Sequence, residues 1–101
     1  MQTTIVRYKV KADRAGENVA LVKNVFKTLE AESPVGLHYV SFQLEDGRSF
    51  LHIAVLDDGV SVNPLPRNAA FKKFAAEIKD RCVEPPVAES GDIVGNYRMI
   101  V

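Results

Sequence analysis

The sequence predicts an α+β fold of the ferredoxin-like kind, βαββαβ, with a four-stranded antiparallel sheet and two helices on one face. Three observations predict it. Asp46-Gly47 separates two apolar-rich runs, residues 36–45 and 48–56, and Asp-Gly between such runs is a strong hairpin signal. A run with a period of two and then an amphipathic helix precede that hairpin. A second amphipathic helix and a second alternating run follow it. Strand–helix–strand thus occurs twice, and right-handed crossovers place both helices on the same face.

Residues 3–11 form the first expected strand: Thr4, Val6, Tyr8 and Val10 alternate with Ile5, Arg7, Lys9 and Lys11. Asp13 is the expected cap of the first helix, since its carboxylate accepts the free N–H groups of a first turn. Ala15, Val19, Val22, Phe26 and Leu29 recur at three- and four-residue spacing, widened by Leu21 and Val25, so one side is buried. Ser33-Pro34 ends that helix, because a residue before proline avoids the helical region.

In the hairpin, a two-residue turn sets Phe42 against Leu51, Val40 against Ile53 and His38 against Val55. A three-residue loop with Gly47 in a bulge is the other common solution, and one step of slip would exchange faces along a strand. The hydrocarbon-rich face with Phe42, Val40 and Leu44 is expected to meet the helices. Leu37, Tyr39, Ser41, Gln43, Phe50, His52, Ala54 and Leu56 then fall on the opposite face.

Pro64 and Pro66 punctuate a loop, and Asn68 is the expected cap of a second helix that runs to about Cys82 with Phe71, Phe74, Ala75 and Ile78 in its stripe. Glu84-Pro85-Pro86 reads as a stiff connector, and residues 92–101 as the last strand.

The chain of 101 residues is one domain, residues 1–101. Its 13 basic and 13 acidic residues cancel and no Lys/Arg block exists, so nucleic-acid binding, which needs a basic footprint, is not expected. No apolar run reaches the length of a membrane span, so no membrane association is expected. Cys82 is the only cysteine, so no internal disulfide forms, and no signal-peptide core precedes the first strand. A cytoplasmic location is expected. The sheet face remote from the helices carries too many large apolar groups for open water. A homodimer stacked sheet to sheet is expected.

Several stretches resemble the dimeric α+β barrel superfamily, in particular the antibiotic biosynthesis monooxygenase-like domains. They are Thr3-Thr-Ile-Val-Arg-Tyr8, Gly36-Leu-His-Tyr39, Phe50-Leu-His-Ile-Ala-Val55, Ala69-Ala-Phe-Lys-Lys-Phe74 and Val94-Gly-Asn-Tyr97. The resemblance implies a dimer with a small-molecule cavity between the sheet and helices of each subunit. It also implies oxidation of an aromatic substrate without metal or flavin, so no cofactor. Ala54, Leu56 and Ala70 stand where many members carry Glu, Trp and His, and the chain has no tryptophan, which argues against haem degradation.

His52 is the candidate base, because an imidazole titrates near neutrality. Tyr39, Tyr97, Asn63, Phe71 and Arg98 are the candidate ligand-binding residues: hydroxyls, a loop amide and ring at a pocket mouth, and a cation for an enolate or carboxylate. His38, Cys82, Tyr8 and Arg7 are weaker candidates, better explained by solvation, packing or ion pairing. The spacing of the two histidines makes no metal motif, and no metal is expected. The expected function is a cofactor-independent monooxygenase-like protein acting on or binding a small aromatic molecule. The alternatives are a non-catalytic dimeric domain that binds a ligand or protein, and a cofactor-free isomerase or cyclase.

Overall fold

The computed structural model describes residues 1–100 and contains one antiparallel sheet in the order β2-β3-β1-β4. The strands are β1 (Gln2–Val10), β2 (Leu37–Gln43), β3 (Ser49–Leu56) and β4 (Cys82–Gly91). Helix α1 (Ala15–Glu32) follows β1, and α2 (Ala69–Ala76) with the short α3 (Ile78–Arg81) precedes β4. This is the ferredoxin-like βαββαβ order, with the helices packed on one side of the sheet.

Helix α1 starts after a 3-10 turn, Ala12–Arg14, that contains Asp13. Asp13 makes no capping bond, contrary to expectation. Asp13 lies inside the 3-10 turn rather than at a cap position, and the turn is closed by Arg14 N–H donating to the Lys11 carbonyl at 2.9 Å. Ser33 closes the helix in the left-handed region (φ 46°), and its N–H donates to the Leu29 carbonyl at 2.7 Å. Asn68 caps α2 as expected, its Oδ1 accepting from Phe71 N–H at 2.8 Å.

The hairpin keeps the expected pairing, Phe42 with Leu51, Val40 with Ile53 and His38 with Val55. The strands end at Gln43 and Ser49 rather than beside a two-residue turn, and Leu44 N–H donates to the Ser49 carbonyl at 2.8 Å. Adding one residue to each side of a turn preserves register, which is why the longer loop leaves the pairs unchanged. Gly47 takes a left-handed φ of 72°, and Asp46 Oδ1 accepts from both Arg48 N–H and Ser49 N–H. Those bonds, and that from the Ser49 hydroxyl, hold the Asp46 carboxyl down at about 2.

The faces of the hairpin are the reverse of those expected. Tyr8 pairs with Phe50 and Val6 with His52, and β1 turns Val6, Tyr8 and Val10 toward the helices. Phe50, His52, Tyr39 and Ser41 therefore face the helices, while Val40, Phe42, Leu51 and Ile53 face away. Hydrophobic pattern alone scores histidine, serine and tyrosine as wet. Here their polar atoms bond to one another, which removes most of the cost of burying them.

The last strand is also displaced. Residues 82–91, not 92–101, pair with β1, and Pro85-Pro86 lie inside the strand. A proline cannot donate to a ladder, but β4 is an edge strand, and these two fall where the register shifts between Arg7 and Lys9. Residues 92–100 form no strand, and Val101, where the expected strand ends, lies outside the described residues. The second helix breaks at Glu77 (φ −126°) before α3, rather than running unbroken to Cys82.

Tyr8, Val10, Val25, Phe50, Leu65, Ala70 and Phe74 form the buried core between sheet and helices. No helix among the described residues is long and apolar enough to cross a membrane.

Candidate functional site

A cavity of about 170 Å3 lies between the sheet and the α2 end of the molecule. Three strands make its floor: Thr4, Val6 and Tyr8 from β1, Tyr39 from β2, and His52 and Ala54 from β3. Asn63, Leu65 and Pro66 wall it from the loop, with Phe71, Phe74 and Ile78 from the helices. Most of this wall is hydrocarbon or aromatic ring. The polar groups concentrate on one side, around His52.

His52 is 4% exposed, and both of its ring nitrogens are engaged. Nε2 lies 2.7 Å from the Tyr8 hydroxyl. Nδ1 lies 2.6 Å from the Tyr39 hydroxyl and 2.8 Å from Ser41 Oγ. Strand geometry explains the convergence. Ser41 stands directly opposite His52, and Tyr8 is one pair away on the same face of β1. Aromatic packing holds the rings: Tyr39 stacks on Phe26 of α1 at 5.0 Å, and the His52 ring leans on Phe74 at 5.4 Å.

The network continues away from the cavity. Asn18 of α1, fully buried, donates from Nδ2 to the Tyr8 hydroxyl at 2.9 Å. Arg81 donates from Nε to Asn18 Oδ1 at 3.2 Å and from Nη2 to the Phe74 carbonyl at 2.6 Å. Burial sets the titration of His52, Tyr39 and Tyr8. It pushes His52 down to about 4, so the imidazole is neutral at pH 7. It pushes Tyr39 up to about 12 and Tyr8 well above the ordinary phenol range, the latter opposed in part by the Asn18 bond. The site at rest is uncharged apart from Arg81.

The structure brings together five of the residues singled out in the sequence: His52, Tyr39, Asn63 and Phe71, and the weaker candidate Tyr8, all line the cavity. Asn63 is also a turn-former, its Oδ1 accepting from Leu65 N–H at 2.9 Å. Tyr97 and Arg98 are not among the lining residues. They lie in residues 92–100, where Tyr97 is 78% exposed and the Arg98 guanidinium rests over its ring at 5.1 Å. Their placement follows from the displaced last strand. His38 pairs with Asp57 at 2.9 Å, away from the cavity, and Cys82 sits at the start of β4 with its thiol raised by burial.

Asn18 and Arg81 are the residues that the sequence reading passed over. Asn18 stands four and seven residues before Val22 and Val25, inside the apolar stripe of α1. Arg81 stands seven after Phe74 and three after Ile78, inside the stripe of the second helical segment. A polar residue in a buried stripe is a signal for a buried partner.

No known sequence family matches the chain, and no curated protein matches it. Solved structures do. One is a structure described as an antibiotic biosynthesis monooxygenase, at 17% identity and TM-score 0.76 over 94% of this chain and 100% of that one. Rv0793 from Mycobacterium tuberculosis aligns at 14% identity and TM-score 0.74, covering 94% of this chain and 96% of its own. SnoaB, a cofactor-independent oxygenase from Streptomyces nogalater, aligns at 13% identity and TM-score 0.68 over 96% of both chains. At these identities the likeness is one of fold, and it spans nearly all of this chain: the chain has the ferredoxin-like α+β fold of the antibiotic biosynthesis monooxygenase-like proteins.

Proposed function

We propose that the chain is a cofactor-independent monooxygenase-like protein that binds a small aromatic molecule in this cavity and acts on it. One observation carries the reading: an apolar, ring-lined cavity whose polar side is a buried, neutral histidine between two tyrosine hydroxyls. The description of SnoaB as a cofactor-independent oxygenase on the same fold supports the reaction class. The size of the cavity limits the guest. A void of about 170 Å3 suits a benzene-sized ring or little more. A single-ring quinol fits that limit better than a three-ring anthrone.

In this reading the substrate supplies the electrons. Ionised to a stabilised anion, it passes them to oxygen, and the protein supplies desolvation, positioning and a base. His52 is the base. With its pKa near 4, forming the imidazolium at pH 7 costs about 4 kcal/mol. The anion formed beside it must offset that cost, so the base serves acidic, charge-delocalising substrates and not simple hydrocarbons. Asn63 and Phe71 shape the walls, and Tyr39 meets the guest's polar group.

The test is oxygen uptake with a single-ring quinol at pH 7, run beside the His52→Ala variant. Uptake by the native protein that falls at least tenfold in a folded His52→Ala protein is the expected result. A second reading is a non-catalytic ligand-binding domain. It is favoured by the engagement of both His52 nitrogens within the protein, which leaves neither directly free for a substrate. A ligand-dependent rise in Tm with no turnover would establish it and overturn the first. Turnover without oxygen would point instead to an isomerase or cyclase.

We propose further that two copies stack the faces of their sheets remote from the helices. Val40 and Phe42 are about two-fifths exposed there, beside Ile5, Leu51 and Ile53. A lone antiparallel sheet turns mainly polar groups to water.

A further inference from the structure

Arg81 is 1% exposed, and its hydrogen bonds go to an amide and a main-chain carbonyl rather than to a carboxylate. Its guanidinium also lies over the Phe74 ring at 5.4 Å. A buried cation held in this way is a fixed source of hydrogen-bond direction, because a guanidinium donates and never accepts.

The direction can be followed atom by atom. The atom of Asn18 that faces Arg81 Nε must be its oxygen, so its NH2 faces Tyr8. An amide NH2 only donates, so the Tyr8 oxygen accepts from it. The phenol hydrogen then goes to the hydroxyl's other partner, His52 Nε2, at 2.7 Å. A ring nitrogen that accepts carries no hydrogen. The single hydrogen of the neutral imidazole is therefore on Nδ1, facing the Tyr39 and Ser41 oxygens at 2.6 and 2.8 Å.

We infer that Arg81, acting through Asn18 and Tyr8, is a positioning residue that fixes His52 as its Nδ1–H tautomer with the basic lone pair on Nε2 turned to Tyr8. The chemistry of the ligand follows, given the reading above that this cavity is the site. The Tyr8 oxygen meets the substrate's acidic proton. The substrate's O–H or C–H bond breaks and an O–H bond forms at Tyr8, while Tyr8's own proton moves to Nε2. The electron pair stays on the substrate as an anion, and His52 ends as an imidazolium. Tyr39 cannot give its hydrogen to Nδ1, so Ser41 Oγ or a guest in the cavity must accept it. The matching guest is an aromatic molecule with an ionisable hydrogen at one point and a carbonyl or phenolate oxygen at another.

The tautomer is measured directly by long-range 1H–15N correlation of the protein labelled with 15N-histidine, at pH 7 and without ligand. A His38→Asn variant, altered on the opposite face of β2, leaves His52 as the only signal. The expected spectrum shows a protonated Nδ1 and a bare Nε2; the opposite order, or an averaged pair, overturns the inference. Asn18→Asp supplies the second arm. A carboxylate accepts at both oxygens, so Tyr8 donates to it and must accept from Nε2–H instead. The two 15N signals should exchange places in a protein whose amide spectrum stays dispersed, and a folded Asn18→Asp protein with unchanged signals overturns the inference. Should that variant not fold, the native spectrum alone decides. Neither arm uses a substrate, so absence of turnover and failure of the tautomer are separate outcomes.

Discussion

The same strands present two unlike faces. Toward the helices, among hydrocarbon such as Val10 and Phe50, the sheet turns the polar Tyr8, Tyr39, Ser41 and His52 and joins them through hydrogen bonds to Asn18 and Arg81. Away from the helices it presents Ile5, Val40, Phe42, Leu51 and Ile53, none of them polar, with Val40 and Phe42 substantially in water. The helix side therefore holds a closed polar network within hydrocarbon, while the outer side exposes large apolar groups beside Arg7 and Lys9. The difference teaches that closure of a network, rather than polarity, decides which side of a strand can be buried. A buried hydroxyl with both roles filled costs little, while an orphan costs several kcal/mol.

The largest effect belongs to the packing that supports the inner face. Phe74 touches Tyr8, His52, Phe71 and the Arg81 guanidinium with its ring, and its carbonyl accepts from Arg81. Phe74→Ala should cost about 4 kcal/mol of stability in urea unfolding, as a large ring is deleted from a closed core. Next comes the network itself. Asn18→Leu keeps the volume of the side chain but strands the Arg81 Nε and the Tyr8 oxygen. A loss of about 3 kcal/mol is expected, because a buried charge loses a partner. A loss below about 1 kcal/mol would mean that the inner face tolerates open bonds, and the contrast between the faces would fail.

The third effect is a pH dependence that only the inner face should produce. The His52 pKa is about 4 folded against 6.5 unfolded, so between those values the unfolded chain binds a proton that the native protein does not. Its contribution is therefore fully present above the unfolded value and is lost as the pH falls through the window. Between pH 7 and pH 5 the loss should be about 2 kcal/mol. Urea unfolding at the two pH values, compared between the native protein and His52→Phe, isolates it. The variant should lose this slope.

What was legible in the sequence follows the same division. The order of elements, the hairpin register and the Asn68 cap depend on local signals: an Asp-Gly turn, a period and a capping residue. Those signals survive in the structure because nothing distant opposes them. Which hairpin face is inside depends instead on partners that lie far along the chain. His52 becomes acceptable in the interior only once Tyr8, 44 residues earlier, and Tyr39 are beside it. The last strand was misplaced for a related reason. Pro85-Pro86 forbid a central strand, and only the edge position of β4 and the irregular register beside Lys9 admit them. Neither fact is visible in a window of sequence. Arg81 and Asn18 were visible as breaks in apolar stripes, but their meaning depends on each other, 63 residues apart.

The smallest effect on stability is expected on the outer face, and there it separates folding from association. Phe42 is 41% exposed, at the end of the edge strand β2, opposite Leu51. Replacing it by Asp strands no buried partner, so within a single chain the cost should stay within about 0.5 kcal/mol. If two copies stack through this face, the same substitution buries a carboxylate in each half of the interface, and a two-fold arrangement doubles every change. Sedimentation velocity at micromolar concentration should then show the native protein as a dimer and Phe42→Asp as a folded monomer. A native protein that sediments as a monomer would show that this face stands in water.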